Sequence, residues 1–132
     1  MSDFQYEIDD GEVIITGYTG AGGAVTVPGT LGGFSVTAIG KYAFRKKTSL
    51  TSITLPNSLT TIGNWAFESC TSLTSITLPN SLTTIRFGAF ESCTGLTSIS
   101  LGNSVSSIRD YAFEGCPAVV TIRPGGIRDG GG

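Results

Sequence analysis

Three cysteines, Cys70, Cys93 and Cys116, recur every 23 residues in this chain of 132 residues and are the first candidates for chemistry. Thiolates act as metal ligands or nucleophiles, but zinc ligands lie a few residues apart within each pair and often include histidine. The sequence contains no histidine, which excludes a Ser-His-Asp or Cys-His arrangement. We interpret the cysteines as buried, reduced thiols that pack as small apolar residues, with a disulfide between two of them as the alternative.

Two further patterns resemble ligand sites. Glu68, Glu91 and Glu114 share the 23-residue period. Carboxylates in identical surroundings repeat a surface feature and do not form an acid–base pair, so we interpret them as structural, with a cation-binding ladder as the alternative. The glycine-rich stretch 17–23 lacks the order of a phosphate-binding loop and is predicted to connect two strands. No enzymatic activity, metal site or cofactor is predicted.

Hydroxyl groups form the third pattern. In the repeated string TSITL, Ser and Thr alternate with apolar residues and would face away from them on a β-strand. This row is the candidate surface for recognising a protein or a glycan. The alternatives are ordinary polar strand residues or a water-ordering grid like that of ice-binding solenoids. The predicted binding face comprises Ser52, Thr54, Ser75, Thr77, Ser98, Ser100, Thr121 and Arg123.

Three aromatic residues form a second candidate column. Tyr42, Trp65 and Tyr111 occupy the same position in different repeats. Exposed aromatic residues often anchor partners at interfaces. The same rings could instead shield a buried column of phenylalanines, and the sequence leaves both interpretations open.

An internal repeat must position all of these residues. Segments 50–72 and 73–95 agree at 19 of 23 positions, a looser copy covers 96–119, and a partial copy lies at 38–44. A fixed period of this length is typical of a solenoid, in which each repeat forms one rung that stacks on its neighbours. The spacing L-x-x-I-x-L fits a leucine-rich repeat with mainly β structure.

Within each repeat, we predict a strand, a turn, a second short strand and a short helical turn. Pro56 and Pro79 should end the first strand, because proline lacks an N–H donor. The helical turn is predicted at an Ala-Phe pair that recurs in four repeats. If rungs stack, the phenylalanines of these pairs stack in the core: Phe44, Phe67, Phe90 and Phe113.

The ends of the chain differ from the repeats, and three regions are predicted. Residues 1–24 should form a capping hairpin and loop, with a turn at residues 9–12. Residues 25–123 form an array of about four rungs, and residues 124–132 a flexible glycine-rich tail. The last rung is expected to be bare, covered by a partner or cut from a longer array, and it is a candidate surface for homo-oligomerisation.

Composition excludes several classes of function. Only 14% of residues are charged and the net charge is -2, so the molecule as a whole does not attract nucleic acid. No apolar run is long enough to span a membrane. The N-terminus lacks the basic and apolar regions of a signal peptide. We expect neither nucleic-acid binding nor membrane insertion.

The string I-G-x-x-A-F-x-x-C-x-x-L-x-x-I-x-L-P-x-x-L-x-x-I, from Ile62 to Ile85, resembles the BspA-like bacterial leucine-rich repeat family. Residues 6–40 also resemble the way such arrays begin, so the resemblance covers about residues 4–123. It implies a right-handed coil with a sheet along one side. Arg86 and Arg109 depart from the family pattern, which usually has glycine at these positions.

Members of that family are mostly surface proteins of bacteria and some protozoa, associated with adhesion to host matrix proteins or other cells. The resemblance therefore implies an extracellular or cell-surface module for adhesion. Combined with the Ser/Thr pattern, it leads us to expect a non-catalytic module that binds a protein or a glycan through the predicted binding face. One alternative is a structural or assembly subunit, either a homo-oligomer or a virion component, located in the virion or the cytoplasm. A consensus-designed or excised repeat array is another.

Overall fold

The structure is a computed structural model that describes residues 3–117 and 120–122. Within these ranges it contains strands and turns but no α-helix, and hence no helix that could cross a membrane. Arg123 and the predicted tail, residues 124–132, lie outside the described residues. The strands are β1 (Phe4–Asp9), β2 (Glu12–Tyr18), β3 (Gly23–Thr26), β4 (Thr30–Leu31), β5 (Phe34–Ile39), β6 (Leu50–Thr54), β7 (Thr61–Ile62), β8 (Ser75–Thr77), β9 (Thr84–Ile85), β10 (Ser98–Ser100), β11 (Ser107–Ile108) and β12 (Val120–Ile122).

Two sheets form two sides of a coil. The seven-stranded sheet has the order β1-β2-β5-β7-β9-β11 with β4 paired to β5, and the five-stranded sheet has the order β12-β10-β8-β6-β3. Equivalent strands of consecutive repeats pair in parallel, with Thr54 beside Thr77 and Ile62 beside Ile85. Because paired strands lie about 4.8 Å apart, each rung stacks directly on the previous one. The predicted mainly β solenoid is confirmed.

An antiparallel hairpin covers the first rung. β1 pairs with β2, and Asp9 lies opposite Glu12. Asp10 and Gly11, between them, both have positive φ (54° and 78°), as a two-residue turn between twisted strands requires. β2 then pairs in parallel with β5 and joins the coil. The hairpin pairs backbone groups that the first rung would otherwise expose, which confirms the predicted β-hairpin cap.

The phenylalanine column runs through the core as predicted. Phe44, Phe67 and Phe90 are fully buried. Their ring centroids are 5.1 Å apart at each step, with interplanar angles of 12° and 2°. Phe113 continues the stack at 5.4 Å but is only half-buried. One large apolar ring per rung therefore fills the space between the sheets and the turn.

The segment around each phenylalanine adopts alternating turns in place of the predicted short helical turns. The backbone N–H groups of Trp65, Phe67 and Ser69 donate to carbonyls of the next rung, and the N–H groups between them donate three residues back. Trp65 and Ser69 have positive φ (53° and 61°). A helical turn would direct its N–H groups along its own axis and not sideways to the neighbouring rung.

β12 departs by one residue from the predicted columns. It pairs Thr121 with Ile99 and not with Ser98, so the predicted continuation of the Ser98 column by Thr121 is wrong. The connection from Cys116 to this strand is one residue shorter than in the preceding repeats. Pro117 begins that connection and restricts its backbone, whereas threonine occupies the same position in the preceding repeats.

We expect Phe90→Ala to lower the free energy of unfolding by about 3–5 kcal/mol, because it opens a cavity between fully buried rungs. Urea denaturation followed by circular dichroism measures this loss. Phe113→Ala is the matched control and should cost less, since its ring is half-buried. A loss below about 1 kcal/mol for Phe90→Ala would contradict a packed stack.

Candidate functional site

The candidate binding face is the outer side of the five-stranded sheet. The isoleucine in each of β6, β8 and β10 is buried, so the residues on either side of it point away from the core. Parallel pairing places Thr77 beside Thr54 and Ser100 beside Thr77. The structure thus brings together a set of residues that we call the hydroxyl face: Ser52, Thr54, Ser75, Thr77, Ser98 and Ser100.

Hydroxyl groups that precede a strand differ in hydrogen bonding from those within the five-stranded sheet. Thr60 and Thr83, just before β7 and β9, donate to the backbone carbonyls of Thr37 and Thr60, one rung earlier, and Thr97, just before β10, donates to that of Thr74. Among the described residues, no side-chain hydrogen bond involves any member of the hydroxyl face. Three of its members are exposed and three are half-buried. The first group ties rungs together, and the second is available to a ligand.

A shallow, open depression of about 290 Å³ lies on this face between β6 and β8. Four members of the hydroxyl face line it, together with Asn57 and Pro79 from the turn that follows each strand. None of its lining residues carries a charge. A ligand seated here would meet hydroxyls, an amide and a proline ring.

Two residues of the predicted binding face are not part of the hydroxyl face that the structure describes, and one threonine outside the prediction extends it. Thr121 is in register with Ile99, and Arg123 lies outside the described residues. Thr26, which is exposed, pairs with Thr54 and adds a rung to the threonine row. The matching strings VTVP (25–28) and ITLP (53–56) carry the signal for this extension.

The predicted aromatic column forms a continuous ladder of rings. Tyr42 stacks on Trp65 with centroids 5.5 Å apart. Phe87 makes edge contacts with Trp65 at 5.1 Å and with Tyr111 at 5.2 Å. Phe87 is absent from the predicted column because Gly88 occupies the equivalent position in its repeat. Residues 87–88 read Phe-Gly where residues 64–65 read Asn-Trp, and this shift of the aromatic residue by one position is the sequence signal for the role of Phe87.

Gly88 is the position that allows Phe87 to enter the ladder. Its φ is +64°, and a Cβ there would lie 2.5 Å from the Trp65 indole nitrogen. The Trp65 indole therefore lies over the backbone of Gly88, and the indole N–H donates to the Glu91 carboxylate at 3.0 Å. The contacts between the rings use part of their surface within the ladder, whereas Tyr42 and Tyr111 are still 44% and 56% exposed. The rings therefore stabilise one another and also offer aromatic surface at both ends of the ladder.

Two members of the glutamate column take part in side-chain contacts. Glu68 forms an ion pair with Arg45 at 2.6 Å, and the Arg45 guanidinium lies 5.1 Å from the centre of the Tyr42 ring. Glu91 accepts the hydrogen bond from Trp65. In the part of the chain that the structure describes, no cluster of three metal-ligating side chains occurs.

The three cysteines are free thiols that link rungs. Each Sγ donates to the carbonyl of a phenylalanine 26 residues earlier, at 3.0 Å from Cys70, 3.0 Å from Cys93 and 3.2 Å from Cys116. Burial raises the pKa of the Cys70 thiol from 9.0 to about 12. Burial also raises the pKa of the other two. Neutral thiols of this kind are poor nucleophiles and metal ligands.

Stacked parallel rungs with a repeated L-x-x-I-x-L strand define a leucine-rich-repeat solenoid. Residues 33–125 match the profile of the BspA type leucine rich repeat region, in six copies. The chain therefore belongs to the BspA-type leucine-rich repeat family.

Three solved structures resemble most of this chain. A leucine-rich repeat protein from Bacteroides capillosus is 30% identical, with a TM-score of 0.85 over 95% of this chain and 96% of that one. One from Bacteroides ovatus is 28% identical (TM-score 0.80), and the match covers 92% of this chain and 37% of that one. A leucine rich cell surface protein from Faecalibacterium prausnitzii is 28% identical (TM-score 0.65), with 92% and 41% covered. This chain thus spans less than half the length of the last two. No curated protein sequence is significantly similar.

We expect the free energy of unfolding to fall as the pH rises from about 9 to about 12. In this range the unfolded chain ionises at Cys70 while the folded thiol, with its raised pKa, stays protonated. The unfolded state therefore gains stability with increasing pH. Urea denaturation at several pH values measures the decline.

Cys70→Ala removes this contribution and keeps those of Cys93 and Cys116, whose pKa values burial also raises. Its decline over the same pH range should be shallower than that of the unmodified chain. Two parallel profiles would contradict a buried neutral thiol at this position.

Proposed function

We propose that this chain is a non-catalytic binding module of the adhesin type, which holds a protein or glycan ligand against the hydroxyl face. BspA-type leucine-rich repeats are generally used for protein binding or surface adhesion, and the family is typically non-catalytic. The Faecalibacterium prausnitzii protein is described as a cell surface protein. This description supports a cell-surface location for the present chain as well.

The unpartnered hydroxyls of the five-stranded sheet are the observation that carries this proposal. The Thr60, Thr83 and Thr97 hydroxyls, which precede strands, bond within the fold, whereas those of the hydroxyl face have no partner among the described residues. They form a grid spaced about 4.8 Å across strands and about 6.6 Å along them. Each hydrogen bond to a ligand would contribute about 0.5–1.5 kcal/mol, so affinity depends on engaging several rungs together.

The chemistry of the face also restricts the ligand. The depression between β6 and β8 has no charged lining residue, so the ligand should offer neutral polar groups with apolar surface between them. Binding should consequently depend little on salt, because screening acts on charged groups. A protein surface and a neutral glycan both satisfy this requirement.

We expect combined substitution of Thr54→Glu, Thr77→Glu and Ser100→Glu to abolish ligand capture. The three carboxylates would repel one another and block the grid, while the buried isoleucines between them stay in place. Capture is measured on a panel of host matrix proteins and on a glycan array, and the class that binds the unmodified chain identifies the ligand type.

A matched control exists outside the sheet. Thr48, Thr71 and Thr94 form another exposed threonine column, in the loop before each strand. Substituting these three by glutamate changes the net charge equally and should leave capture intact. Unchanged capture by the variant at Thr54, Thr77 and Ser100 would contradict the proposed face, as would equal loss in both variants.

An assembly role is the second candidate, and the last turn favours it. Ile108 and Tyr111 are 47% and 56% exposed. The N–H groups of Tyr111, Phe113 and Gly115 have no partner among the described residues, whereas their equivalents one rung earlier donate to this turn. Apolar side chains next to unpaired amides are typical of an edge that a further rung or another copy can cover.

We expect a chain that assembles through this edge to show a solution mass above that of one 13.6 kDa copy. Sedimentation velocity at high concentration measures it. Ile108→Glu, which places a charge on the edge, should return the mass to that of a monomer. A monomeric mass for the unmodified chain at all concentrations would exclude self-assembly.

A further inference from the structure

A second cavity, of about 310 Å³, opens beside the seven-stranded sheet, away from the hydroxyl face. It lies where β9 and β11 lead into the alternating turns. Unlike the depression between β6 and β8, it is lined by charged groups. Its lining residues are Asn64, Arg86, Phe87, Ile108, Arg109 and Asp110.

The two arginines occupy a backbone column that holds glycine in the two preceding rungs. At Gly40 and Gly63, an added Cβ would lie 2.8 Å and 2.9 Å from a backbone carbonyl oxygen of the rung before. The N–H of each glycine donates to that carbonyl at 2.7 Å, whereas the equivalent bonds from Arg86 and Arg109 are 3.0 Å and 2.9 Å long. Consecutive rungs are therefore slightly further apart at the positions where arginine replaces glycine.

The guanidinium groups lack charge partners. Arg86 and Arg109 are exposed, and in the described ranges neither forms an ion pair or a side-chain hydrogen bond. Consecutive rungs place the two residues side by side, about 4.8 Å apart along the backbone. Like charges at this spacing repel, and an anion between them would relieve the repulsion while accepting hydrogen bonds from both.

The other lining groups define the rest of the ligand. The Asn64 side-chain oxygen accepts the Phe87 N–H at 3.1 Å, which leaves its amide N–H groups free to donate. The half-buried Phe87 and the 47% exposed Ile108 supply apolar surface. Asp110 is exposed and offers a carboxylate that accepts hydrogen bonds from hydroxyl groups but repels a second negative charge.

We propose that this cleft binds an acidic sugar residue, with one carboxylate held between Arg86 and Arg109. One guanidinium group binds a carboxylate through two parallel hydrogen bonds, and a second adds further charge-assisted bonds to the same oxygens. The sugar hydroxyls would then meet Asp110 and the Asn64 amide, and the apolar face of the ring would lie on Phe87. A phosphate or sulfate would bring more charge towards Asp110, and an acidic peptide would lack the hydroxyls that Asp110 and Asn64 can bind.

The test titrates sodium glucuronate into ¹⁵N-labelled protein and follows amide chemical shifts. We expect saturable shifts at Asn64, Phe87 and Arg109, and none at Thr54 or Thr77. The indole of Trp65, the single tryptophan of the chain, contacts Phe87 and gives a second readout by fluorescence. Neutral glucose, inorganic phosphate and N-acetylglutamate amide are titrated in parallel.

Arg86→Gly and Arg109→Gly provide variants that the fold already accepts, because glycine occupies this column in earlier rungs. Each should weaken glucuronate binding by about tenfold or more, and the double variant should not bind. Arg86→Gln with Arg109→Gln keeps side chains in place and should also not bind. Lys46→Asn removes a charge elsewhere, at a position with φ of 60° that asparagine tolerates, and should bind normally.

Several outcomes would overturn the site. These are an absence of shifts with glucuronate, equal shifts with glucose, stronger binding of phosphate or N-acetylglutamate amide, and unchanged affinity in the double arginine variant. The cleft does not share a residue with the hydroxyl face. Loss of glucuronate binding and loss of ligand capture by the hydroxyl face are therefore independent results.

Discussion

In-register stacking of consecutive rungs is the constraint on which the rest of this structure depends. Each rung meets the next through parallel strand pairs, a stacked phenylalanine ring and a thiol bonded to a carbonyl of an earlier repeat. Each of these contacts needs the same residue type at the same position of consecutive repeats, and this requirement accounts for the identity of the central copies at those positions. Because every rung touches only its neighbours, stability is a sum of local terms, and damage at one rung loosens an end before the whole coil.

The sequence predicts those parts of the fold whose signal is a period. Alternation in TSITL predicts the buried isoleucines and the outward hydroxyls, and the recurring Phe predicts the ring stack. The alternating turns cannot be predicted from the sequence, because Trp65 and Ser69 have positive φ and are residue types that do not favour it. The register of β12 is also not predicted, since a connection shortened by one residue leaves no mark in a loose repeat.

The same residue type has two uses in this coil, and the backbone decides between them. A threonine or serine whose hydroxyl can reach the carbonyl one rung earlier, such as Thr60 or Ser81, is used within the fold. The hydroxyls of the hydroxyl face make no such bond among the described residues and remain available, although Thr97, one residue before β10, does. Composition alone therefore gives no measure of how many hydroxyls can meet a ligand. The cleft at Arg86 also depends on the local backbone. Its arginines occupy the position at which the two preceding rungs have glycine, close to a carbonyl of the rung before.

The alternating turns give the coil a direction. From Tyr42 to Gly88, every turn N–H group that bonds to another rung donates to the rung on its C-terminal side. The turn carbonyl groups of each rung therefore accept these bonds from the rung on the N-terminal side. The two ends of the stack are therefore chemically different, one with spare donors and the other closed by an antiparallel hairpin. Two copies of this turn edge would present donors to each other, so they cannot satisfy one another's turn N–H groups. A surface that covers the edge must instead present carbonyl acceptors, as the turn of a further rung does.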